Sequence, residues 1–428
     1  MTITVNSPYQ IFAQNELPAS WKKAFQENLS NFPHQLRSPL KSAWEIALHQ
    51  EFPSRKDESW RWMDYKRLNL ESLMLDPHIS PMRLSVSHVF RDEENNSFTY
   101  PLPEGVVVTT LKELFASNSD LALKLLSDQR LVSEELFTAL PSALANDGLV
   151  VYVPRGVTID GVVQCYLDLS LDNRLAFTRN VVWLEEGANL TLELIWVNEL
   201  GSQAGFHNGI MDVHLSDRSI LHLDERQQFD LQTWNISYEV AYLGADAQLN
   251  WNYAAVGGDT SKNYIRIEME GKGSQANLNG VMFPVNGQVV NLDTRQNHWA
   301  EQTYSNLLFK SVASQEGRSI WHGMIYVDPQ AKKTDAYQSN KNLILDESAD
   351  VKSVPGLEIH NDDVKCSHGA TMGKIDAEEL YYLQARGIPA KEAELLIVEG
   401  FCNQVIQSFA LETSRKELID HLMDRLTV

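Results

Sequence analysis

The chain has 428 residues, of which 43% are apolar and 22% charged, and its formal net charge is −21. That length exceeds the usual single core of about 100–200 residues, so it calls for several domains or one elongated one. The acidic balance excludes broad binding to a phosphate backbone, which needs clustered Lys and Arg, and favours solubility.

At the N-terminus, Met1-Thr2-Ile3-Thr4-Val5-Asn6-Ser7 lacks the basic and apolar regions of a secretory leader. No apolar run approaches the roughly 20 residues of a membrane span, so a cytoplasmic protein is expected. The first 70 residues read as helical. Ser20 is a candidate N-cap before Trp21, Ala24, Phe25 and Leu29, and a second helix is expected over 42–52, stopped by Pro53. Further helices are expected over 112–126 and 133–140. From Leu149 the texture changes to short β-branched and aromatic runs, starting with Val150-Val151-Tyr152-Val153-Pro154 and continuing to about residue 350.

Four short segments each place a polar turn just before a strand and end on an apolar residue, Leu190, Leu221, Leu249 and Leu278, in steps of 31, 28 and 29. Strands at a nearly fixed pitch, without helices between them, predict coils stacked as a β-solenoid around one continuous core. Hairpin signals are few, Asn286-Gly287 being the exception. After residue 375 helices return. Asp376 and Glu379 form a capping box before Leu380, and Leu396, Phe401, Val405 and Phe409 lie on the apolar stripe of a second helix. Ser414 and Glu417 open a third. The expected architecture is mainly β: an N-terminal helical domain (1–148), a parallel β-helix core (149–375) and a C-terminal helical domain (376–428).

Chemical motifs are sparse. There is no P-loop, zinc-protease or nucleophile-elbow motif. Gly271-Lys272-Gly273-Ser274-Gln275-Ala276 matches a dinucleotide fingerprint, but strand-like sequence follows it, so a turn between coils is expected. His207, His214 and His222 could converge only if adjacent coils brought them together; ordinary surface or loop histidines are expected. Asp224-Glu225 offers half of a glycosidase pair, which leaves a carbohydrate-active β-helix enzyme as an alternative function. The three cysteines, Cys165, Cys366 and Cys402, are too few and too scattered for a disulfide framework or a four-thiolate cluster. Cys366-Ser367-His368 is of more interest, because i, i+2 spacing puts two metal-binding side chains on one face of a strand. On residue types alone, a core cysteine beside a hydrogen-bonded histidine still outweighs a metal site.

Asp362-Asp363-Val364-Lys365-Cys366-Ser367-His368-Gly369-Ala370-Thr371 resembles the C-terminal signature of the SufB/SufD family. The likeness continues through Leu380-Tyr381-Tyr382-Leu383 and Ala385-Arg386-Gly387-Ile388. Upstream it takes in Gly323-Met324-Ile325-Tyr326-Val327-Asp328, Thr334-Asp335-Ala336 and Pro355-Gly356-Leu357-Glu358. Trp60-Arg61-Trp62 and Val153-Pro154-Arg155-Gly156-Val157 extend it towards the N-terminus. Met372, Ile375 and Ala385 depart from the family's usual residues but keep their size and polarity class.

The resemblance implies a right-handed parallel β-helix flanked by helical domains. It also implies a scaffold rather than an enzyme, pairing with SufB and docking the SufC ATPase through the C-terminal helices. Modest length and few cysteines favour the SufD side of the family. His368, with Cys366, is implied to form half of a site shared with SufB that transiently holds iron or an iron–sulfur cluster; no cofactor is expected to stay bound to this chain alone. Leu396, Phe401, Val405 and Phe409 are the implied SufC contacts, and pairing of two copies is expected when the chain is isolated. No flavin motif is visible, and neither nucleic acid nor membrane is an expected partner. A chain ending at residue 375 is expected to keep a folded solenoid.

Overall fold

The computed structural model describes residues 17–63, 67–68, 70, 73–76, 82–91, 97–99, 101–126, 135–198 and 203–427. Its first helices are α1 (Ala19–Asn31) and α2 (His34–His49), each entered through a proline, which brings a φ already suited to a helix start. Trp21, Phe25, Leu40 and Trp44 are buried, and Trp60 stacks on Phe137 with ring centroids 5.2 Å apart. The helix expected over 112–126 is two: α3 (Leu111–Ser117) and α4 (Ser119–Leu126). Asn118 divides them because its side chain accepts the N–H of Leu121, a local bond that competes with a continuous helix. α5 (Leu136–Leu144) is buried along its whole length and packs against the solenoid.

The N-terminal region is not uniformly helical. It contains β1 (Met82–Arg91), β2 (Ser97–Thr99) and β3 (Val107–Thr110). Met82, Leu84 and Val86 alternate with Arg83, Ser85 and Ser87, a period of two that suits a strand with one face covered. β1 lies antiparallel on β5 (Val162–Leu169), and β3 lies antiparallel on β4 (Leu149–Val153). These two strands close the first coil of the solenoid.

From β4 onward each strand pairs in parallel with the next but one, not with its neighbour in sequence. Thus β4 pairs with β6 (Leu175–Leu184), and β5 pairs with β7 (Asn189–Val197). The pattern runs unbroken to β18 (Asp350–Ile359) and β19 (Val364–Gly373), building two sheets in a parallel β-solenoid of about eight turns. Inward side chains stack along the axis. Leu192, Leu223, Trp251, Leu278 and Leu307 form one column, each 0–1% exposed. Fully burying one such leucine contributes roughly 1.5–3 kcal/mol.

Leu190, Leu221 and Leu249 are register partners, as their spacing predicts. Leu278 is not their fourth member: Ala276 stands opposite Leu249, and Leu278 opposite Trp251. A slip of two residues keeps the inward side inward, so alternation alone could not reveal it. Asn286-Gly287 connects β13 (Gln275–Met282) to β14 (Val289–His298), which lie in different sheets, so it is a turn between coils and not a hairpin. Gly271 to Ala276 likewise forms the turn leading into β13 and begins that strand, with no helix behind it. No described helix is long and apolar enough to cross a membrane.

At one corner of every coil the chain enters the left-handed region. Gly156, Gly187, Arg218, Asp246, Gly273, Gln302 and Lys333 have φ between 55° and 73°. The N–H of each donates to a carbonyl in the next coil's turn, from Gly156 to Glu186 (2.9 Å) through Lys333 to Asp363 (2.7 Å). A non-glycine residue pays about 1–2 kcal/mol for this conformation, and glycine's extra freedom when unfolded returns part of that. Gln302→Gly is therefore expected to stabilise the chain by about 0.5–1 kcal/mol in chemical denaturation. A loss of stability would show that the Gln302 side chain supports the turn.

Two acids face each other inside the solenoid. Glu225 accepts from Trp251 Nε1 at 3.2 Å and shares a hydrogen bond with Glu239; both are buried. Burial pushes Glu225 up to about 7, and burial together with the charge of Glu225 raises Glu239. The folded chain thus holds protons that the unfolded chain gives up near pH 4.5. Stability from this source is complete below pH 4.5 and falls as pH rises through about 7. The expected loss is on the order of 2 kcal/mol, read from denaturation midpoints between pH 5 and 8, and Glu225→Gln should flatten the slope.

Candidate functional site

β18 and β19 are the last strands of their sheets, and no described strand continues the solenoid beyond them. Cys366 and His368 stand opposite Ala336 and Gln338 of β17 (Thr334–Ile344), which are 2% and 0% exposed. The single face predicted for the pair is therefore the inward face of the solenoid. Because their coil is the last, the inward column opens to solvent there. His368 is exposed, while Cys366 is half-buried against Ile325, Val327, Ala331 and Ala336.

Burial first, and then the charge of Asp335, push the Cys366 thiol up to about 11. It is protonated near neutrality, which counts against it as a ligand, since the thiolate is the binding form. The Asp362-Asp363 pair ends the preceding turn. The carbonyl of Asp363 accepts from Lys333, and its N–H donates to Asn361 Oδ1 at 2.9 Å. Among the described residues, no three His, Cys, Asp or Glu side chains are grouped to hold a metal ion.

The floor beneath His368 is tightly built. Gln338 Nε2 donates to the carbonyl of Gly356 on β18 at 2.9 Å. A Cβ on Gly323 would come within 2.2 Å of the Trp321 ring and 2.5 Å of Gln338 Oε1, so only glycine admits both side chains. Trp321 Nε1, Gln338 Oε1 and Ser353 Oγ are buried there without hydrogen-bond partners among the described residues. Around this opening two ten-residue strands leave one edge of their backbone unpaired, and Met372 and Ile359 are 57% and 39% exposed. Long unprotected edges are templates for adding another chain's strands.

The C-terminal helices are α6 (Ala377–Ala385), α7 (Ala390–Ile406) and α8 (Glu412–Thr427). They divide the four expected contact residues. Val405 and Phe409 are each 1% exposed and pack with Val256, Val281, Phe283 and Val312 of the solenoid, so their side chains are not available to a partner. Leu396 is 44% exposed, and Leu396 and Phe401 line a groove of about 470 Å³ together with Leu343, Ile375 and Ile397. α6 buries no residue, and its Tyr381 and Tyr382 are 72% and 55% exposed. A helical stripe cannot tell a stripe facing its own sheet from one facing a partner, which is why the sequence grouped all four.

A buried ion pair fixes these helices to the solenoid. Arg226, 1% exposed, meets Glu193 at 3.0 Å and Glu417 at 2.6 Å. Ser414 donates to Glu193, so the two residues expected to cap α8 reach across to the sheet instead. Asp224 accepts the N–H of Ala410 at 2.7 Å and contacts His222 and Asn252. Its neighbour Glu225 points the opposite way, into the lumen, and both are 0% exposed. These two acids cannot flank a glycosidic bond. The three histidines also stay apart: His207 is inside, bonded to Thr178 and Asn235, His214 is stacked between Trp183 and Tyr242, and His222 lies 2.9 Å from Asp224.

The solenoid and the C-terminal helices thus share a core beyond residue 375. Cutting there would uncover Val281, Phe283 and Val312 and remove Glu417 from Arg226. Arg226→Ala leaves Glu193 buried and unpaired, and is expected to cost about 3–5 kcal/mol in urea denaturation. Glu417→Gln, at an exposed partner, should cost under about 1 kcal/mol. Equal losses would mean that the pair is not what anchors the helices.

Comparison with known proteins gives two family matches. Residues 168–401 match the SUF system FeS cluster assembly, SufBD core domain, and residues 75–165 match the SufBD protein N-terminal region. Similar proteins from Staphylococcus epidermidis, Staphylococcus saprophyticus and Staphylococcus aureus are each called an iron–sulfur cluster assembly SufBD family protein. Each is 24% identical over 315 residues, which is 72% of this chain and 66% of the relative. The match thus spans slightly less than two thirds of these relatives' length.

Proposed function

The chain belongs to the SufBD family of the SUF iron–sulfur cluster assembly system, and from this premise we propose that it is a SufD-type cytoplasmic scaffold subunit. In this reading the open end of the solenoid pairs with SufB through the free edges of β18 and β19, and the cargo, iron or a nascent cluster, is held between the two subunits. The observation that carries the reading is His368, an exposed imidazole on the inward column of an uncovered last coil. Its neutral form binds iron less tightly than a thiolate does, which suits a site that must release what it builds. Cys366, protonated and half-buried, supports the wall and does not lead the ligation.

The SufC ATPase would dock on α6 and in the groove at Leu396 and Phe401. Val405, Phe409 and the Arg226 pair hold these helices against the sheet, so force applied to them reaches the solenoid directly. ATP-driven movement of SufC would then shift the two solenoids as rigid bodies and reshape the shared site. The scaffold contributes position and ligands, with no turnover of its own.

Co-purification with SufB and SufC, followed by anaerobic cluster reconstitution, tests each part. His368→Ala should leave the complex assembled and cut the rate of cluster formation at least tenfold, read by absorption spectroscopy. Leu396→Asp with Phe401→Asp should release SufC and leave SufB bound. Cluster formation at the wild-type rate in intact His368→Ala complex would remove the ligand role, and SufC retained by the double variant would move its docking site elsewhere.

A further inference from the structure

One column of inward side chains changes character at the open end. Leu192, Leu223, Trp251, Leu278 and Leu307 stack along the axis; Gln338 takes the next place, and His368 stands directly opposite it on the last strand. Gln338 is 0% exposed. Burying a carboxamide is unfavourable unless its polar atoms are bonded, and a leucine would continue the column without that penalty. The amide is therefore present for its hydrogen bond rather than for its volume.

That hydrogen bond crosses the lumen. Gln338 Nε2 donates to the carbonyl of Gly356 at 2.9 Å, and Gly356 lies on β18, in the opposite sheet. Gly323 of β16 (Arg318–Val327) makes room for it, since a Cβ there would meet both Gln338 Oε1 and the Trp321 ring. Among the described residues no other side-chain hydrogen bond joins β18 to the sheet of β17 and β19.

β18 depends on such a tie more than an internal strand does. It is paired on one side only, with β16, and is half-buried from Lys352 to Leu357. Close to the turn into β19, an apolar cluster holds the two strands together: Leu357, Val364 and Cys366 pack against Ile325, Val327 and Ala336. Ser353 to Gly356 lie outside that cluster, and there the hold is the Gln338 bond. β18 and β19 belong to different sheets, so no main-chain ladder sets their separation. The tie starts from the register partner of His368, one coil beneath the imidazole.

We propose that Gln338 is a positioning residue for the His368 site. By holding Gly356 across the lumen it fixes the distance between the edge of β18 and the imidazole on β19, the gap that a partner subunit and the cargo must fit. The inference rests on the scaffold reading of this opening, and it gives Gln338 no contact with the cargo.

Two variants test it. Gln338→Leu continues the leucine column and so keeps the fold, while Gln338→Met keeps the length of the side chain and removes the donor. In the full chain alone, hydrogen–deuterium exchange read by mass spectrometry should be at least tenfold faster over residues 353–357 in both variants, with β7 and β14 unchanged and the circular dichroism intact. In the complex with SufB and SufC, both variants should form cluster at least fivefold more slowly while SufB stays bound. A residue that only filled the core could be replaced by leucine without loss in either reading. Wild-type exchange over 353–357 in Gln338→Leu would overturn the tie. Wild-type cluster formation by both variants, alongside an impaired His368→Ala, would overturn the positioning role and leave the site at His368 standing. A wild-type rate in His368→Ala too would remove that site and the positioning role together, and the exchange data would still decide the tie.

Discussion

Each coil of a parallel solenoid satisfies its backbone only through the coils on either side. The strand ladders do most of this, and the corner ladder from Gly156 to Lys333 does the rest. An internal coil has both neighbours; a terminal coil has one. The chain treats its two ends differently. At the first coil, β1 and β3 turn antiparallel and stop further parallel winding. At the last coil nothing among the described residues does so, and β18 and β19 keep their free edges. The same missing neighbour that leaves hydrogen bonds unmade also leaves the inward column uncovered, so the adhesive edge and the exposed imidazole arise from one cause.

Burial assigns different work to similar residues. Cys165, Cys366 and Cys402 are all thiols whose pKa is raised by burial, to between about 11 and about 12. Cys165 and Cys402 are core side chains, and only Cys366 lies near an opening. Asp224 and Glu225, adjacent in sequence, are separated by the pleat: one supports the C-terminal helices and the other shares a proton inside the lumen. Arg226, next in line, returns to the outer face and ties Glu193 to Glu417. Three consecutive charged residues thus sit in three environments, each with a different energetic consequence.

The C-terminal helices are both part of the solenoid's stability and its most exposed apolar surface. α7 turns Val405 towards the sheet and Leu396 away from it, and α6 is held by chain connection and a few contacts with α7 rather than by burial. A partner gripping α6 and the Leu396 groove would therefore load an element whose base is pinned by a buried ion pair. Breaking such a pair is expensive, which makes the attachment stiff.

The sequence by itself determined the order of helices, solenoid and helices, the inward leucines at Leu190, Leu221 and Leu249, and the shared face of Cys366 and His368. Those features follow from side-chain alternation and local turn chemistry, which are properties of neighbouring residues. It also carried the family likeness, through residues that lie close together along the chain. It could not place the strands at 82–110 as a cap, detect the two-residue slip at Leu278, or separate Val405 and Phe409 from Leu396 and Phe401. Nor could it bring Glu417 to Arg226. These depend on which surface each side chain meets, and contacts between residues tens to hundreds of positions apart are set only when the coils stack.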